Sequence, residues 1–202
     1  MTVATKAMDI LISGVGGQGV ILASDVICET AIGAGYDVKK TDTLGMAQRG
    51  GSVTSHVRLG ERVWSPIIRD GNVDLMLSFE KLEAARWGHY LHEGSVAIVN
   101  DYMQPPLSCG LGKETYPSHE EIAAALTRRT DKVYFVDGNA RAKELGNVRT
   151  LNIFMLGCLS VFAPVEADVW RESIRLRLPE RLVDINLKAF DLGRKEIEGV
   201  RI

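Results

Sequence analysis

The chain has 202 residues, 46 % hydrophobic and 25 % charged, which is enough apolar material for a sizeable core and excludes a disordered or fibrous class. A formal net charge of −2, with Arg and Lys scattered rather than grouped, offers no basic field for nucleic acid. The most apolar stretch, residues 153–163, is too short to cross about 30 Å of hydrocarbon, and no signal peptide is visible, so the chain is expected in the cytoplasm with no membrane partner.

The first element is the apolar run Met8–Ser13, which reads as a buried strand. Residues 14–19, GVGGQG, form a turn. Val20–Ile32 then places Val20, Ile21, Ala23, Val26, Ile27 and Ala31 at helical spacing, and Gly33 and Gly35 end it. Tyr36–Thr41 reads as a second strand, closing a βαβ unit. Residues 42–51, DTLGMAQRGG, form a polar, glycine-rich loop. Ser52–Leu59 alternates like a strand with one wet face, and Gly60-Glu61 is expected to fold it back on Arg62–Ile67 as a hairpin. Val73–Phe79 is a central strand, Glu80–His92 a helix and Ser95–Asn100 another buried strand.

Residues 101–117, with three prolines and two glycines, make a long connection. A helix over His119–Arg129 follows, with Ser118 as its N-cap, then a strand at Lys132–Val136 and a helix at Asn139–Leu145. From Leu151 the pattern is helical to the end: 152–162, 166–178 and 180–198, punctuated by Pro164 and Pro179. Residues 152–162 are almost wholly apolar, so they are buried on all sides or face a partner. The expected fold is α/β: one domain over 1–202, a three-layer Rossmann-like sandwich around a mostly parallel sheet, with a hairpin insert and a helical C-terminal region from about residue 150.

Two loops carry functional information. In the first, Gly14, Gly16 and Gly19 satisfy G-x-G-x-x-G, with Gly17 and Gln18 between. Glycines allow a sharp turn and close approach of another group, and the helix behind them presents free N–H groups and a positive dipole end. A dinucleotide reading needs an acidic residue after the second strand, and Asp42 stands near that place. Tight strand–helix packing alone is the structural alternative. The second loop, Gly45-Met46-Ala47-Gln48-Arg49-Gly50-Gly51-Ser52, sets an arginine on a pliable backbone, suited to phosphate or carboxylate. A surface arginine bridging to Asp42 is its alternative. Both loops follow strands expected to run parallel, so both are expected on the sheet's carboxyl edge, where open α/β sheets bind ligands.

The pair GVGGQGV (14–20) and GMAQRGGSV (45–53) resembles the γ-type domain of the 2-oxoacid:ferredoxin oxidoreductases, which shows G-x-G-G-Q-G and later G-x-x-x-R-G-G. The run VDLMLSFEKLEAAR (73–86) is similar to the same family, and the likeness extends over nearly the whole chain. A free-standing domain with a helical tail most resembles the indolepyruvate (aryl-2-oxoacid) branch. The γ subunits of pyruvate and 2-oxoglutarate enzymes are the alternative. The resemblance implies a holoenzyme that decarboxylates a 2-oxoacid on thiamine diphosphate with Mg, passes electrons through [4Fe-4S] clusters to ferredoxin, and transfers the acyl group to coenzyme A. It implies that a large α subunit carries the thiamine cofactor and clusters, and that this chain binds no cofactor tightly and completes the active site or the coenzyme A pocket. On that mapping Gly14, Gly16, Gly17, Gln18, Gly19, Gly45, Gln48, Arg49, Gly50 and Gly51 are positioning rather than catalytic residues.

The three cysteines, Cys28, Cys109 and Cys158, agree with this: they lack CxxC spacing and are fewer than the about four thiolates a cluster takes. His89 and His92 are i,i+3, but no third metal ligand is near in sequence. Ser13 lies in no nucleophile elbow. Glu80 reads as a helix N-terminal charge before it reads as an active-site carboxylate. Trp64, Trp87 and Trp170 read as core or interface anchors. Two other functions stay open: a stand-alone NAD(P)- or flavin-binding oxidoreductase, and an adaptor that docks through residues 153–162 and the C-terminal helices. A homodimer of the isolated chain is also expected.

Overall fold

Strand β1 (Met8–Val15) is the axis of the sheet, and its inner residues Ile10, Leu11 and Ile12 are fully buried on alternating faces. The computed structural model describes residues 6–44, 50–112 and 114–200. After β1 come helix α1 (Val20–Gly33), β2 (Asp37–Leu44), β3 (Ser52–Gly60), β4 (Val73–Ser78), α2 (Lys81–Trp87) and β5 (Leu91–Asn100). The chain continues through α3 (Leu107–Gly110), α4 (His119–Thr127), β6 (Lys132–Val136), α5 (Gly138–Glu144), α6 (Leu151–Ser160), α7 (Ala167–Arg177) and α8 (Glu180–Val200).

The six strands lie in the order β2-β3-β1-β4-β5-β6. β1, β4, β5 and β6 are parallel neighbours, whereas β3 is antiparallel to both β1 and β2. The sheet has a buried face on each side. Ile10, Ile12, Leu75, Leu77 and Ile98 pack under α1, α6, α7 and α8, and Leu11, Met76, Ala97 and Val99 pack under α2 and α4. The expected three-layer α/β sandwich is the observed one.

The hairpin insert is real, but its partner differs from expectation. Ser52–Gly60 pairs with β2, not with residues 62–67, which form no strand. Pro66 has no N–H for a ladder. The Val63 N–H donates to the Asp37 carboxylate at 2.8 Å instead of to a strand. The helix expected to reach His92 stops at Trp87, a 3₁₀ turn covers Gly88–Tyr90, and β5 begins at Leu91.

The apolar tract 153–160 is buried within the chain itself, between the sheet and α8. It is therefore no docking surface, which corrects that expectation. Trp170 is buried and stacks on Phe190, as an anchor should, whereas Trp64 is 79 % exposed under the Arg62 guanidinium. Among the described residues, no helix is long and apolar enough to cross a membrane.

Candidate functional site

The connection from β1 runs through α1 toward β2, and that from β4 runs through α2 toward β5. The strand order thus reverses between β1 and β4. The crevice outside their carboxyl ends is where this class of sheet receives ligands. The reversal is stitched by small polar groups: Ser13 Oγ donates to Ser78 Oγ at 2.9 Å, and Ser78 Oγ donates to the Glu80 carbonyl at 2.8 Å, all buried.

The first glycine loop meets Gly50 and Gly51, the described end of the second, at this edge. The Gly16 N–H donates to the Gly51 carbonyl at 2.8 Å, and the Gly50 N–H donates back to Gly16 at 3.5 Å. This follows from the register: Gly14 faces Val53 and Val15 faces Ser52, so the end of β1 and the start of β3 are one place. Gly50 and Gly51 therefore lie beside Gly16. Gly45, Gln48 and Arg49 lie outside the described residues.

The first loop is built around Gly17 and Gly19, whose φ angles of 101° and 80° are in the left-handed region that favours glycine. Gly19 is also crowded, since a Cβ there would sit 2.4 Å from Asn152 Nδ2. That amide donates to the Gln18 and Gly19 carbonyls at 2.8 and 3.1 Å, pinning the loop from α6. Gln18 is held as well: its Oε1 accepts from the Val15 N–H at 2.8 Å, and its Nε2 donates to Gln104 Oε1 at 3.2 Å. The Gln18 amide therefore shapes the loop rather than pointing freely outward. α1 has no side-chain N-cap, and no described residue accepts from the Gly17 or Gly19 N–H. Backbone N–H groups at a helix N-terminus attract an anion.

A cavity of about 440 Å³ opens against this loop, lined by Gly17, Gln18, Tyr102, Gln104, Asn139, Arg149 and Asn152 among others. Its polar side chains are amides, the Tyr102 phenol and one guanidinium, which suits an anionic, hydrogen-bonding ligand. The sequence reading missed Gln104, Arg149 and Asn152. They stand far along the chain from the loop and outside any local motif, and the one faint signal is Asn152 as the polar residue opening an apolar helix. A larger depression of about 830 Å³ between α1 and α7 is lined by Glu29, Asp168 and Glu172 and by Arg177, whose guanidinium is already paired with Asp25 and Glu29, so its charge does not favour an anion.

Asp42 does not serve as a ribose ligand. β3 lies between β2 and β1, and the Asp42 carboxylate accepts from Ser55 Oγ at 2.5 Å and pairs with Lys40 at 3.1 Å. Two of the cysteines are held as thiols: burial pushes Cys28 up to about 12, and Cys158 also rises well above the usual thiol range through burial. Among the described residues, no group of three or more His, Cys, Asp or Glu side chains is arranged to hold a metal ion. Glu80 is the N-cap of α2, its carboxylate accepting from the Glu83 N–H at 2.9 Å.

The strand reversal, the crevice outside it and the glycine loop beside it define an open α/β domain of Rossmann-like type. The chain belongs to the pyruvate ferredoxin/flavodoxin oxidoreductase family, whose profile matches residues 9–196. It is 40 % identical over 193 residues to an indolepyruvate oxidoreductase subunit IorB from Pyrococcus horikoshii, covering 94 % of this chain and 96 % of that one. The subunit of the same name from Methanothermobacter thermautotrophicus is 39 % identical, covering 92 % and 95 %. In fold, the chain is similar to the gamma subunit of a keto/oxoacid ferredoxin oxidoreductase from Geobacter sulfurreducens, with TM-score 0.71, 23 % identity and coverage of 95 % and 99 %. It is also similar to part of a 2-oxoglutarate:ferredoxin oxidoreductase from Magnetococcus marinus, with TM-score 0.73 and 20 % identity, covering 96 % of this chain and 31 % of that one.

Proposed function

We propose that this chain is the small subunit of a cytoplasmic indolepyruvate (aryl-2-oxoacid):ferredoxin oxidoreductase, and that its carboxyl-edge crevice completes the coenzyme A pocket of the holoenzyme. The observation that carries this reading is the meeting of the two glycine loops through the Gly16–Gly51 bonds, beside the uncapped start of α1 and the cavity bearing Arg149. The N–H groups of Gly17 and Gly19, the start of α1 and Arg149 would hold the phosphates of coenzyme A, with Asn139 and Asn152 supplying further amide groups. Coenzyme A supplies the thiol that accepts the acyl group. This chain's part is to bind and orient it and to exclude water.

Thiamine diphosphate with Mg and the [4Fe-4S] clusters belong, in this reading, to a large α subunit, which passes electrons to ferredoxin. Three separated thiols in this chain do not fit a four-thiolate cluster. The test is co-expression with the large subunit encoded by the same organism. The complex is expected to reduce ferredoxin or a dye with indolepyruvate and coenzyme A, and this chain alone is expected to be inactive. Arg149→Ala should raise KM for coenzyme A by about tenfold, the loss of one charge-assisted contact, and leave KM for the ketoacid unchanged. A wild-type KM for coenzyme A in that variant would overturn the pocket assignment, and turnover by the isolated chain would overturn the subunit assignment.

A further inference from the structure

Between β5 and α4 the chain leaves the sheet edge at Gln104 and returns at Tyr116. Both ends of this excursion are held by one atom. Glu80 Oε1 accepts from the Gln104 N–H at 3.0 Å and from the Tyr116 hydroxyl at 2.5 Å. The other carboxylate oxygen accepts from the Glu83 N–H, so both oxygens of this buried, 1 % exposed carboxylate have donors. Its described residues carry the single turn α3 and a Ser108–Glu114 hydrogen bond at 2.6 Å, while Leu107 and Leu111 point into solvent at 87 % and 70 % exposure. Its start is nevertheless a wall of the cavity, through Tyr102 and Gln104. Gln104 then carries the constraint across the crevice, because its Oε1 accepts from Gln18 Nε2 and Gln18 Oε1 holds the Val15 N–H.

We infer that Glu80 and Tyr116 are positioning residues: they cinch the 104–116 excursion so that Gln104 meets Gln18, and this fixes the width of the crevice between the excursion and the first glycine loop. Neither residue lines the cavity. Their effect passes through the backbone of Gln104. Burial and the neighbouring Glu80 charge push the Tyr116 hydroxyl well above the usual tyrosine range, so it stays a donor at any physiological pH. A glutamine at position 80 keeps one acceptor oxygen for this pair of donors. However, it would turn an N–H toward the Glu83 N–H, so it is a partial substitute only.

The inference rests on the coenzyme A reading above, and the experiment separates the two. The holoenzyme is assembled with Tyr116→Phe, Glu80→Gln or Arg149→Ala in this chain. Tyr116→Phe is expected to raise KM for coenzyme A about threefold to tenfold. The ketoacid KM and the single turnover of dye reduction without coenzyme A should stay at wild type. Glu80→Gln is expected to behave alike, with amide hydrogen exchange in both variants faster over residues 104–112 and unchanged in α1 and α6. If Arg149→Ala raises the coenzyme A KM and Tyr116→Phe does not, the positioning role is wrong and the pocket stands. If neither moves it, the pocket itself is wrong. An equal loss in the rate of that coenzyme A-free single turnover would mean a merely structural defect and would also overturn the inference.

Discussion

At the residue scale, the crevice is held open by buried amides that each answer several backbone groups. Asn100, at the end of β5, is fully buried. Its Nδ2 donates to the Phe79 carbonyl at 3.1 Å and to Asn139 Oδ1 at 2.8 Å, and its Oδ1 accepts from the Gly138 N–H at 3.0 Å. Asn100→Ala would leave a buried carbonyl and a buried N–H unpaired, and is expected to lower stability by about 2–4 kcal/mol in urea unfolding. A second residue prediction concerns His56, which is buried on β3 and whose Nδ1 accepts from the Ile68 N–H at 3.3 Å. Desolvation lowers its pKa below the ordinary value, against a smaller opposing pull from Asp9. The unfolded chain therefore takes up a proton before the folded chain does. Stability is full above about pH 6.5, declines as pH falls through that value, and levels off below the depressed pKa. His56→Asn, which keeps an acceptor and cannot titrate, should flatten this part of the urea midpoint against pH. An unaltered slope would remove His56 as its source. Little of this was legible in the sequence. The glycine loops are local motifs and announce themselves, but the Asn152–Gln18 contact spans 134 positions and leaves no periodic trace.

At the element scale, what the sequence conveys is period, and what it hides is the neighbour. The alternation of Ser52–Leu59 reveals a strand, but a two-residue period is the same whichever strand lies alongside. That β3 inserts between β1 and β2 is decided by long-range pairing and by Pro66, which spoils the next run. The apolar tract in α6 likewise reads as buried, without saying by what. The answer is a close crossing of α6 and α8. A Cβ on Gly157 would lie 2.2 Å from the Phe190 carbonyl oxygen, and one on Gly193 would lie 2.0 Å from that of Phe154. Both obstacles are backbone, which cannot swing aside as a side chain can. Gly157→Ala and Gly193→Ala should therefore each destabilise the protein by about 1–3 kcal/mol or more, against the usual small gain from alanine in a helix. Gly199→Ala, where a Cβ meets open space, should show no such loss. Thermal unfolding of the three variants decides the matter, and equal midpoints would contradict the crossing.

At the scale of the whole molecule, the sheet's carboxyl edge and the helical layer on one of its faces divide the labour. The carboxyl edge gathers the glycine loops, the cavity and the exposed Met103, Leu107 and Leu111, while α7 and α8 close the far side of the helical layer. α7 is tied to α1 by Arg177, which pairs with Asp25 and Glu29 at 2.9 and 2.8 Å, though such exposed pairs contribute little beside the packing beneath them. Trp170, Ile174, Phe190 and Ile197 are all but fully buried against the core. Each large apolar side chain buried this way stabilises by about 1.5–3 kcal/mol, so four of them approach the about 5–15 kcal/mol by which a whole domain is stable. Their removal would also uncover Phe154, Cys158 and their neighbours on α6. A chain ending after Pro164 is therefore expected to lose cooperative unfolding and protease resistance altogether, although it retains every strand and both glycine loops. If that shortened chain still unfolded cooperatively by circular dichroism, the C-terminal helices would be an appendage rather than the outer wall of the core.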